Sequence, residues 1–473
     1  MSLADRLGAL FKGRDEVNLT EGGIAKPLFY LSLPIVITNL LQTAYNLADT
    51  FWLGQYGTEE LAAISFAFPM VFLLIALGMG LSVAGSVLVA QHTGAGEEEQ
   101  AEYAASQTVT FSLLAALLLG GIGFLSVDLF LGLLGASPDV LPLATSYMRV
   151  ISLGLVFMFG FFVFVSLMRG YGDTITPMLV MFGSVALNIA LDPFLIFGWW
   201  VFPELGIQGA AIATVFSRAL ALLVGLYIML EGSRGVQIRL SEMRPDFSYA
   251  RKLLAIGVPA SIEGTGRALS VNLLLVIVSI FPTTVVAGYG IGVRVFSVIF
   301  LPAIAVARGV ETMTGQNIGA DKPDRAAGAA NFAAKVMFVV LSLLGLVAFV
   351  AARPITALFT SDPAVVDVGA SFLRWVAPTF GFIGIMRAYT GSFRGAGKTM
   401  VAAVVAITML GFIRLPVAWV GAQQLGSSGI WLAFSVSNVA GALIAYAWYR
   451  RGTWRDADAT REPGADVAPA ADD

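Results

Sequence analysis

The sequence contains no cysteine and a single histidine, His92, among its 473 residues. The lack of cysteine excludes disulfide bonds, thiolate metal ligands and cysteine nucleophiles, and the near lack of histidine leaves almost nothing for imidazole chemistry. Metal-dependent enzymes and enzymes built on a catalytic triad are therefore poor candidates. We expect a protein that is not an enzyme and that uses neither a metal nor an organic cofactor.

Charge is the second shortage. Only 12% of the residues are charged, against 57% that are hydrophobic, whereas about a quarter of the residues of an ordinary soluble domain are charged. A chain of this composition cannot turn most of its surface to water. The sequence therefore predicts an integral membrane protein.

The sequence contains a series of long apolar runs. A transmembrane helix needs about 20 largely apolar residues, and we count twelve such runs, at roughly 28–53, 60–92, 104–133, 141–168, 176–200, 208–231, 252–280, 284–311, 328–352, 365–391, 398–421 and 428–449. The first run is long, contains polar residues and is followed by no small-residue cleavage pattern, so we expect it to stay in the protein. The predicted fold class is all-α, with twelve transmembrane helices.

The two halves of the chain repeat each other. Identical residues recur 225 positions apart, as in Pro34 and Pro259 or Gln91 and Gln316. Internal repeats in an apolar chain are typical of secondary transporters, whose site lies between the repeats. We therefore predict two six-helix lobes related by a pseudo-twofold axis. The predicted division is an N-terminal segment over 1–27, a first lobe over 28–231, a linker over 232–251, a second lobe over 252–450 and a disordered acidic tail over 451–473.

Lysine and arginine residues concentrate in alternate loops. Such loops stay on the cytoplasmic side, so the pattern predicts a multi-pass protein of the cell membrane with both termini in the cytoplasm. The basic loops fit anionic lipid headgroups, and nothing requires a nucleic-acid partner. Arg169 and Arg394, which precede glycine-rich turns, are expected to anchor these cytoplasmic turns at the membrane surface.

Two acids, Asp49 and Asp192, lie inside predicted spans at a similar depth. A charged side chain inside a bilayer costs about 3 kcal/mol or more, so both acids are functional candidates. Polar residues at helical spacings, or at the same depth in the sixth span, accompany them: Gln42, Tyr45, Asn46, Asn188 and Thr214. Burial favours the neutral form of a carboxyl group, and a neighbouring acid favours it further, which makes such a pair usable for carrying protons.

A structural role for the two acids is the alternative, in which each only hydrogen-bonds a neighbouring helix. Pro193 directly follows Asp192. Because proline lacks a backbone donor, we expect a bend in the fifth span at this point.

The second half does not repeat the two acids. Its charged residues include Glu263 with Arg267, and Arg308 with Glu311, at spacings that allow pairing along a helix. Structural ion pairs are the preferred interpretation. A cation site at Glu263 is the alternative.

Four stretches carry a family resemblance: LQTAYNLADTFWLG at 41–54, MRGYGDT at 168–174, LNIALDPFLIFG at 187–198 and GIQGAAIATVFSR at 206–218. With weaker echoes in the second half, they resemble the multidrug and toxic compound extrusion (MATE) family, and within it the prokaryotic DinF-like branch. The resemblance covers nearly the whole chain up to about residue 451. It implies two six-helix lobes, a V-shaped cavity, and export of cationic or amphipathic compounds driven by a proton or sodium gradient.

Taken position by position, the resemblance makes Asp49 and Asp192 the family's first-lobe acids. It also gives matches to polar neighbours, a sixth-helix hydroxyl and a turn arginine: Gln42, Tyr45, Asn46, Asn188, Thr214 and Arg169. The chain departs from the family at 163–166, where Val-Phe-Val-Ser stands in place of a frequent asparagine. The acidic pair typical of the second lobe in the sodium-coupled branch is not visible either, which favours protons.

The sequence therefore predicts a secondary active antiporter that exports organic cations or amphipathic toxic compounds in exchange for protons, through Asp49 and Asp192. A sodium-coupled exporter of the same family is one alternative. A flippase for lipid or polysaccharide precursors is another, and it would be favoured if Arg267, Arg294 and Arg414 faced the cavity. We expect a monomer whose partners are the transported compound and membrane lipids.

Overall fold

The computed structural model describes residues 18–133, 138–457 and 459–460. Most of the predicted N-terminal segment and most of the predicted acidic tail lie outside these ranges. All regular structure within them is helical, and twelve of the helices there are long and apolar enough to cross a membrane. The predicted fold class is confirmed.

The twelve helices follow one another with short connections. Their bounds are α1 Ala25–Tyr56, α2 Thr58–Ala95, α3 Glu98–Leu133, α4 Leu141–Tyr171, α5 Ile175–Phe197, α6 Ile207–Glu231, α7 Phe247–Val278, α8 Thr283–Gly319, α9 Pro323–Val350, α10 Pro363–Gly395, α11 Thr399–Leu425 and α12 Ser427–Arg450. A short helix, Ala352–Ala357, precedes α10, which contains a 3-10 turn at Ala377–Thr379. Helix α11 contains a π-helical stretch at Thr408–Arg414.

Helix α7 begins at Phe247, inside the range predicted as linker. The reason is a cap, because the Asp246 side chain accepts hydrogen bonds from the backbone N–H groups of Ser248 and Tyr249. Hydrogen bonds from the Ser248 side chain and from the Tyr103 hydroxyl hold the pKa of Asp246 at about 2. A hydropathy pattern marks only the apolar part of a helix, so it missed this polar first turn.

The two halves pack by one plan. In the first half, α1 packs on α5, α2 on α3 and α4, α4 on α3 and α6, and α5 on α6. In the second half, the same pairs recur six helices later, from α7 on α11 to α11 on α12. Because each helix contacts the same relatives in both halves, the chain forms two repeated six-helix lobes.

The lobes meet through α1 and α2 on one side and α7 and α8 on the other. At one end of the bundle, Gln91 donates from Nε2 to the carbonyl oxygen of Gly395 at 3.1 Å, and Gln316 donates to that of Gly170 at 3.1 Å. Gln91 and Gln316 are repeat mates, so the contact is twofold symmetric. We call this contact the glutamine junction and the end of the bundle that holds it the junction end.

Glycines allow the close approach at the glutamine junction. A Cβ atom at Gly94 would collide with the backbone carbonyl of Gln316, and one at Gly319 would collide with that of Gln91. Only glycine lets the two helices come this close. The junction end is therefore tightly closed.

Candidate functional site

The two acids predicted from the sequence come together in the first lobe. Asp49 on α1 and Asp192 on α5 are 4% and 0% exposed. Their carboxyl groups face each other closely enough to share a hydrogen bond. Helix α1 packs directly on α5, and this contact between the two helices brings the acids together.

Three of the predicted polar neighbours support the acidic pair. Asn188, one turn before Asp192 on α5, donates from Nδ2 to Asp192 Oδ1 at 3.2 Å. The hydroxyl groups of Tyr45 and Thr214 are 2.7 Å apart, and Tyr45 also lies within reach of Asp49. The pair is thus embedded in a polar group that joins α1, α5 and α6.

Some oxygen atoms of this group have no donor. Asp49 Oδ1, Asp192 Oδ2 and Asn188 Oδ1 are buried and accept no hydrogen bond from the described part of the chain. Buried acceptors of this kind are costly. A hydrogen bond between two carboxyl groups requires a proton on one of them, so a single proton would satisfy an oxygen of each acid.

Gln42 and Asn46 lie on the same face of α1 but nearer to open space. Gln42 donates from Nε2 to Asn46 Oδ1 at 3.3 Å. Both residues line a cavity of about 420 Å³ that also reaches Asp49. Further lining comes from polar and aromatic side chains: Tyr45, Phe68, Phe72, Tyr147, Phe162, Thr214 and Arg218.

A second cavity, of about 250 Å³, lies next to the first one and shares Gln42 and Phe162 with it. Its lining includes Thr38, Arg169 and, from the second lobe, Arg308. The two cavities together offer an aromatic wall with a few polar groups. Such a lining suits an amphipathic small molecule.

Arg218 on α6 is a site residue that the sequence reasoning did not assign. It is 2% exposed and donates from Nη2 to Gln42 Oε1 at 2.9 Å and from Nη1 to Met181 Sδ at 2.9 Å. Its guanidinium also lies 5.0 Å from the ring centre of Tyr45. Arg218 follows Thr214 by one helical turn inside the sixth predicted span, and an arginine at that spacing in an apolar run is the signal that would have identified it.

Pro193 lies inside α5, about one turn before the last helical residue Phe197, and the cap residue Gly198 has a φ of 69°. The predicted turns after α4 and α10 are present, and Gly172 and Gly397 take φ values of 107° and 75°, where only glycine is unstrained. Arg169 donates from Nη2 to Ser166 Oγ at 2.8 Å. The turn after α4 therefore keeps its arginine against its own helix.

Arg394 does not anchor at a membrane surface, and this expectation was wrong. Its side chain is buried and contacts Glu263 at 3.0 Å and Glu311 at 3.2 Å. Two buried carboxylates attract a guanidinium more strongly than a solvated headgroup region does. Arg394 is thus the centre of an ion-pair network in the second lobe.

The two predicted ion pairs belong to the same network. Arg267 contacts Glu263 at 3.0 Å, and Arg308 contacts Glu311 at 2.8 Å. Glu263, the alternative cation site, therefore has two guanidinium groups on its carboxylate. This geometry favours the structural interpretation of Glu263.

The repeated twelve-helix bundle, with buried acids beside a cavity in its first lobe, defines a membrane transporter. The MatE family model matches the chain twice, over residues 34–194 and 259–420, once in each lobe. The two matches begin 225 positions apart, the spacing of the internal repeat. The chain belongs to the MatE family, a family of transporters and not of enzymes.

Known proteins match along nearly the full length of the chain. An FAD transporter of Shewanella oneidensis is 29% identical, over 92% of this chain and 96% of its own length. A probable multidrug resistance protein, NorM, of Thermotoga maritima is 28% identical, over 93% and 95%. The crystal structure of a MATE protein in a bent conformation superposes with a TM-score of 0.85 at 26% identity, covering 93% of this chain and 98% of that one.

Proposed function

We propose that the protein is an antiporter of the cell membrane, with both termini in the cytoplasm, that exports organic cations or amphipathic compounds in exchange for protons. It acts as a monomer among membrane lipids. The observation that carries the proposal is the buried pair of Asp49 and Asp192 beside the 420 Å³ cavity. The names of the relatives, which include multidrug exporters, agree with such a role.

The proton is taken up by the acidic pair. Two carboxylates that face each other away from water repel, and one proton removes the repulsion and forms a hydrogen bond between them. The buried oxygens of Asp49 and Asp192 that lack donors would gain a donor in this way. Release of the proton restores the repulsion, so the two protonation states favour different separations of α1 and α5.

Arg218 couples the acidic pair to the cavity. It interacts electrostatically with Asp49 and donates to Gln42, which lines both cavities. When Asp49 loses its charge, Arg218 loses an attractive partner and its hold on Gln42 changes. Proton and substrate thereby bias the same helices, which is the condition for coupling their movement.

Sodium coupling is the second candidate, and one observation favours it. The three buried oxygens without donors, on Asp49, Asp192 and Asn188, are a suitable partial ligand set for sodium. The proton and sodium proposals use the same residues. They differ in which gradient drives transport.

A flippase is disfavoured by the arginines that would have supported it. Arg414 donates from Nε to Ser437 at 2.9 Å and lies 4.1 Å from the ring centre of Phe434, so it is held within its own lobe. Arg267 is engaged by Glu263, and Arg294 makes no hydrogen bond in the described chain. Among the described residues, none of these three arginines lines the 420 Å³ or the 250 Å³ cavity.

The test uses the purified protein in liposomes loaded with a fluorescent organic cation. A proton gradient and a sodium gradient are imposed in separate experiments, and the loss of dye is followed. Efflux under the proton gradient alone is expected. Efflux that requires a sodium gradient would mean that sodium, and not the proton, is the coupling ion at this site. Absence of efflux under either gradient would refute the antiporter.

A further inference from the structure

The second lobe has several charged residues at positions where the first lobe has a mostly uncharged cavity wall. Five residues that line the 250 Å³ cavity have repeat mates 225 positions later that belong to the ion-pair network or lie beside it. The pairs are Thr38 and Glu263, Gln42 and Arg267, Val83 and Arg308, Phe162 and Arg387, Arg169 and Arg394. Four of the five positions in the second lobe are therefore arginine, against one in the first.

These four arginines and the two glutamates form one cluster, which we call the arginine cluster: Arg267, Arg308, Arg387, Arg394, Glu263 and Glu311. Its ion pairs join Arg394 to both glutamates, Arg267 to Glu263, and Arg308 to Glu311. Four positive charges stand against two negative ones. The cluster as a whole has an excess of two positive charges.

Arg387 is the member with no partner. Within the described residues, neither a hydrogen bond nor an ion pair reaches its guanidinium, and its Nε atom is buried. It nevertheless lies close enough to Arg267, Arg394 and Arg308 to interact with them electrostatically. Glu263 attracts the Arg387 guanidinium, but three neighbouring guanidinium groups repel it, and a further anion would reduce that repulsion.

The arginine cluster borders the cavities of the first lobe. Arg308 itself lines the 250 Å³ cavity, together with Arg169 of the first lobe. Since that cavity shares Gln42 and Phe162 with the 420 Å³ cavity, the space next to the cluster continues to the aromatic wall. A molecule in these cavities can therefore reach an apolar surface together with two guanidinium groups, Arg308 at the edge of the cluster and Arg169.

We propose that the arginine cluster binds the phosphate or carboxylate group of the transported compound, while the apolar part of that compound packs in the first-lobe cavities. The inference rests on the proposed export of amphipathic compounds and concerns the subclass of them that carries an anionic group. Guanidinium groups bind carboxylate and phosphate through paired hydrogen bonds, which explains why arginine and not lysine fills these positions.

The experiment compares two fluorescent compounds that differ only by a phosphate group. FMN and riboflavin share one ring system, and their binding to the full-length protein in phosphatidylcholine nanodiscs is measured without any ion gradient. We expect FMN to bind at least about tenfold more tightly than riboflavin, since a single hydrogen bond between charged groups is enough for a difference of this size. Rhodamine B and its ethyl ester provide the same comparison for a carboxylate.

Substitutions test whether the preference for FMN over riboflavin comes from the arginine cluster. Arg387→Gln should remove most of the preference for FMN and leave riboflavin binding unchanged, and Arg387→Lys should retain part of it. Arg294→Gln is the matched control, because Arg294 is an exposed arginine of the same lobe, and it should bind FMN as the wild type does. The proposal is overturned if neither dye pair shows a preference for the anion, or if Arg387→Gln leaves the preference intact.

A lipid headgroup is the other possible source of the anion. Thermal unfolding of the protein is therefore measured in nanodiscs with and without phosphatidylglycerol. Stabilisation by this lipid that Arg387→Gln abolishes, without any preference for FMN or rhodamine B, would assign the cluster to a lipid and refute a substrate site. Because no gradient is used, Asp192→Asn should keep the preference for FMN even though it blocks coupled transport, so failure of the coupling proposal would be seen separately.

Discussion

The two lobes have the same helix packing and opposite polar interiors. In the first lobe, Asp49 and Asp192 are buried with oxygens that lack donors, and Arg218 is the nearby cation. In the second lobe, Glu263 and Glu311 are each paired with two arginines, and the arginines outnumber the glutamates. Helix packing depends on a few close contacts and tolerates many changes elsewhere. The two copies of a duplicated unit can therefore keep the same helix arrangement while their polar residues take on different chemical roles.

Some polar contacts are the same in both lobes, and these lie at the glutamine junction. Gln91 and Gln316 make the same hydrogen bonds to opposite lobes, and Gly94 and Gly319 make the same close approach. A contact on the twofold axis has to satisfy both copies at once. Change there is more constrained than in the lobe interiors, where each copy has its own neighbours.

The largest effect is expected when the proton-binding group of the first lobe is removed. Asp192→Asn should abolish proton-driven efflux of a fluorescent cation from liposomes, because an amide keeps the shape of the carboxyl group but cannot take up or release the proton. Asp128→Asn is the control, since Asp128 is an exposed acid that contacts Arg149 at 2.8 Å, and it should transport normally. Undiminished efflux by Asp192→Asn would refute the role of the pair.

A comparison of two buried arginines tests whether the lobes have different tasks. Arg218→Gln should lower efflux roughly a hundredfold, because it weakens two hydrogen bonds of a charged group and the link between Asp49 and Gln42. Arg414→Gln removes bonds to Ser437 and Asn438 away from the cavities. It should lower the temperature of unfolding while the efflux of the folded protein stays normal.

Efflux and thermal unfolding are measured on both variants to decide whether the two lobes have different tasks. The comparison holds if Arg218→Gln loses transport and Arg414→Gln loses stability. Equal losses of transport in the two variants would mean that both lobes take part in coupling.

The glutamine junction offers a test of the symmetry itself. Gly94→Ala and Gly319→Ala should each destabilise the closed junction end by about 1–3 kcal/mol, because each added methyl group collides with a carbonyl of the other lobe. The chain has no cysteine, so Ala90→Cys, buried opposite Gly315, supplies a unique label. Its reaction with a maleimide should become about tenfold faster in both variants.

Gly121→Ala is the matched control for the junction variants, because a Cβ atom there would meet nothing within 4 Å. It should leave the labelling rate unchanged. Strongly unequal rates for Gly94→Ala and Gly319→Ala would show that the junction does not open symmetrically.

The sequence predicted contacts between residues of the same helix better than contacts between different helices. Hydropathy located the twelve helices, and helical spacing found the pairs of Glu263 with Arg267 and of Arg308 with Glu311, because both signals run along the chain. Equal depth was enough to predict that Asp49 and Asp192 meet. Arg394 was misplaced, since its partners lie on other helices and the rotation of a helix about its axis is not encoded in its own spacing.

The smallest expected effect concerns the hydroxyl group of Thr214. Thr214→Val keeps the shape of the side chain but removes the contact to the Tyr45 hydroxyl at 2.7 Å, which costs about 1 kcal/mol and should slow proton-driven efflux roughly fivefold. Thr214→Ser keeps the hydroxyl and should remain near the wild-type rate. The corresponding position of the second lobe, 220 residues later, is Phe434, which packs under Arg414. Normal efflux by Thr214→Val would mean that Tyr45 holds Asp49 without help from Thr214, and that Arg218 is the residue of α6 on which the polar group depends.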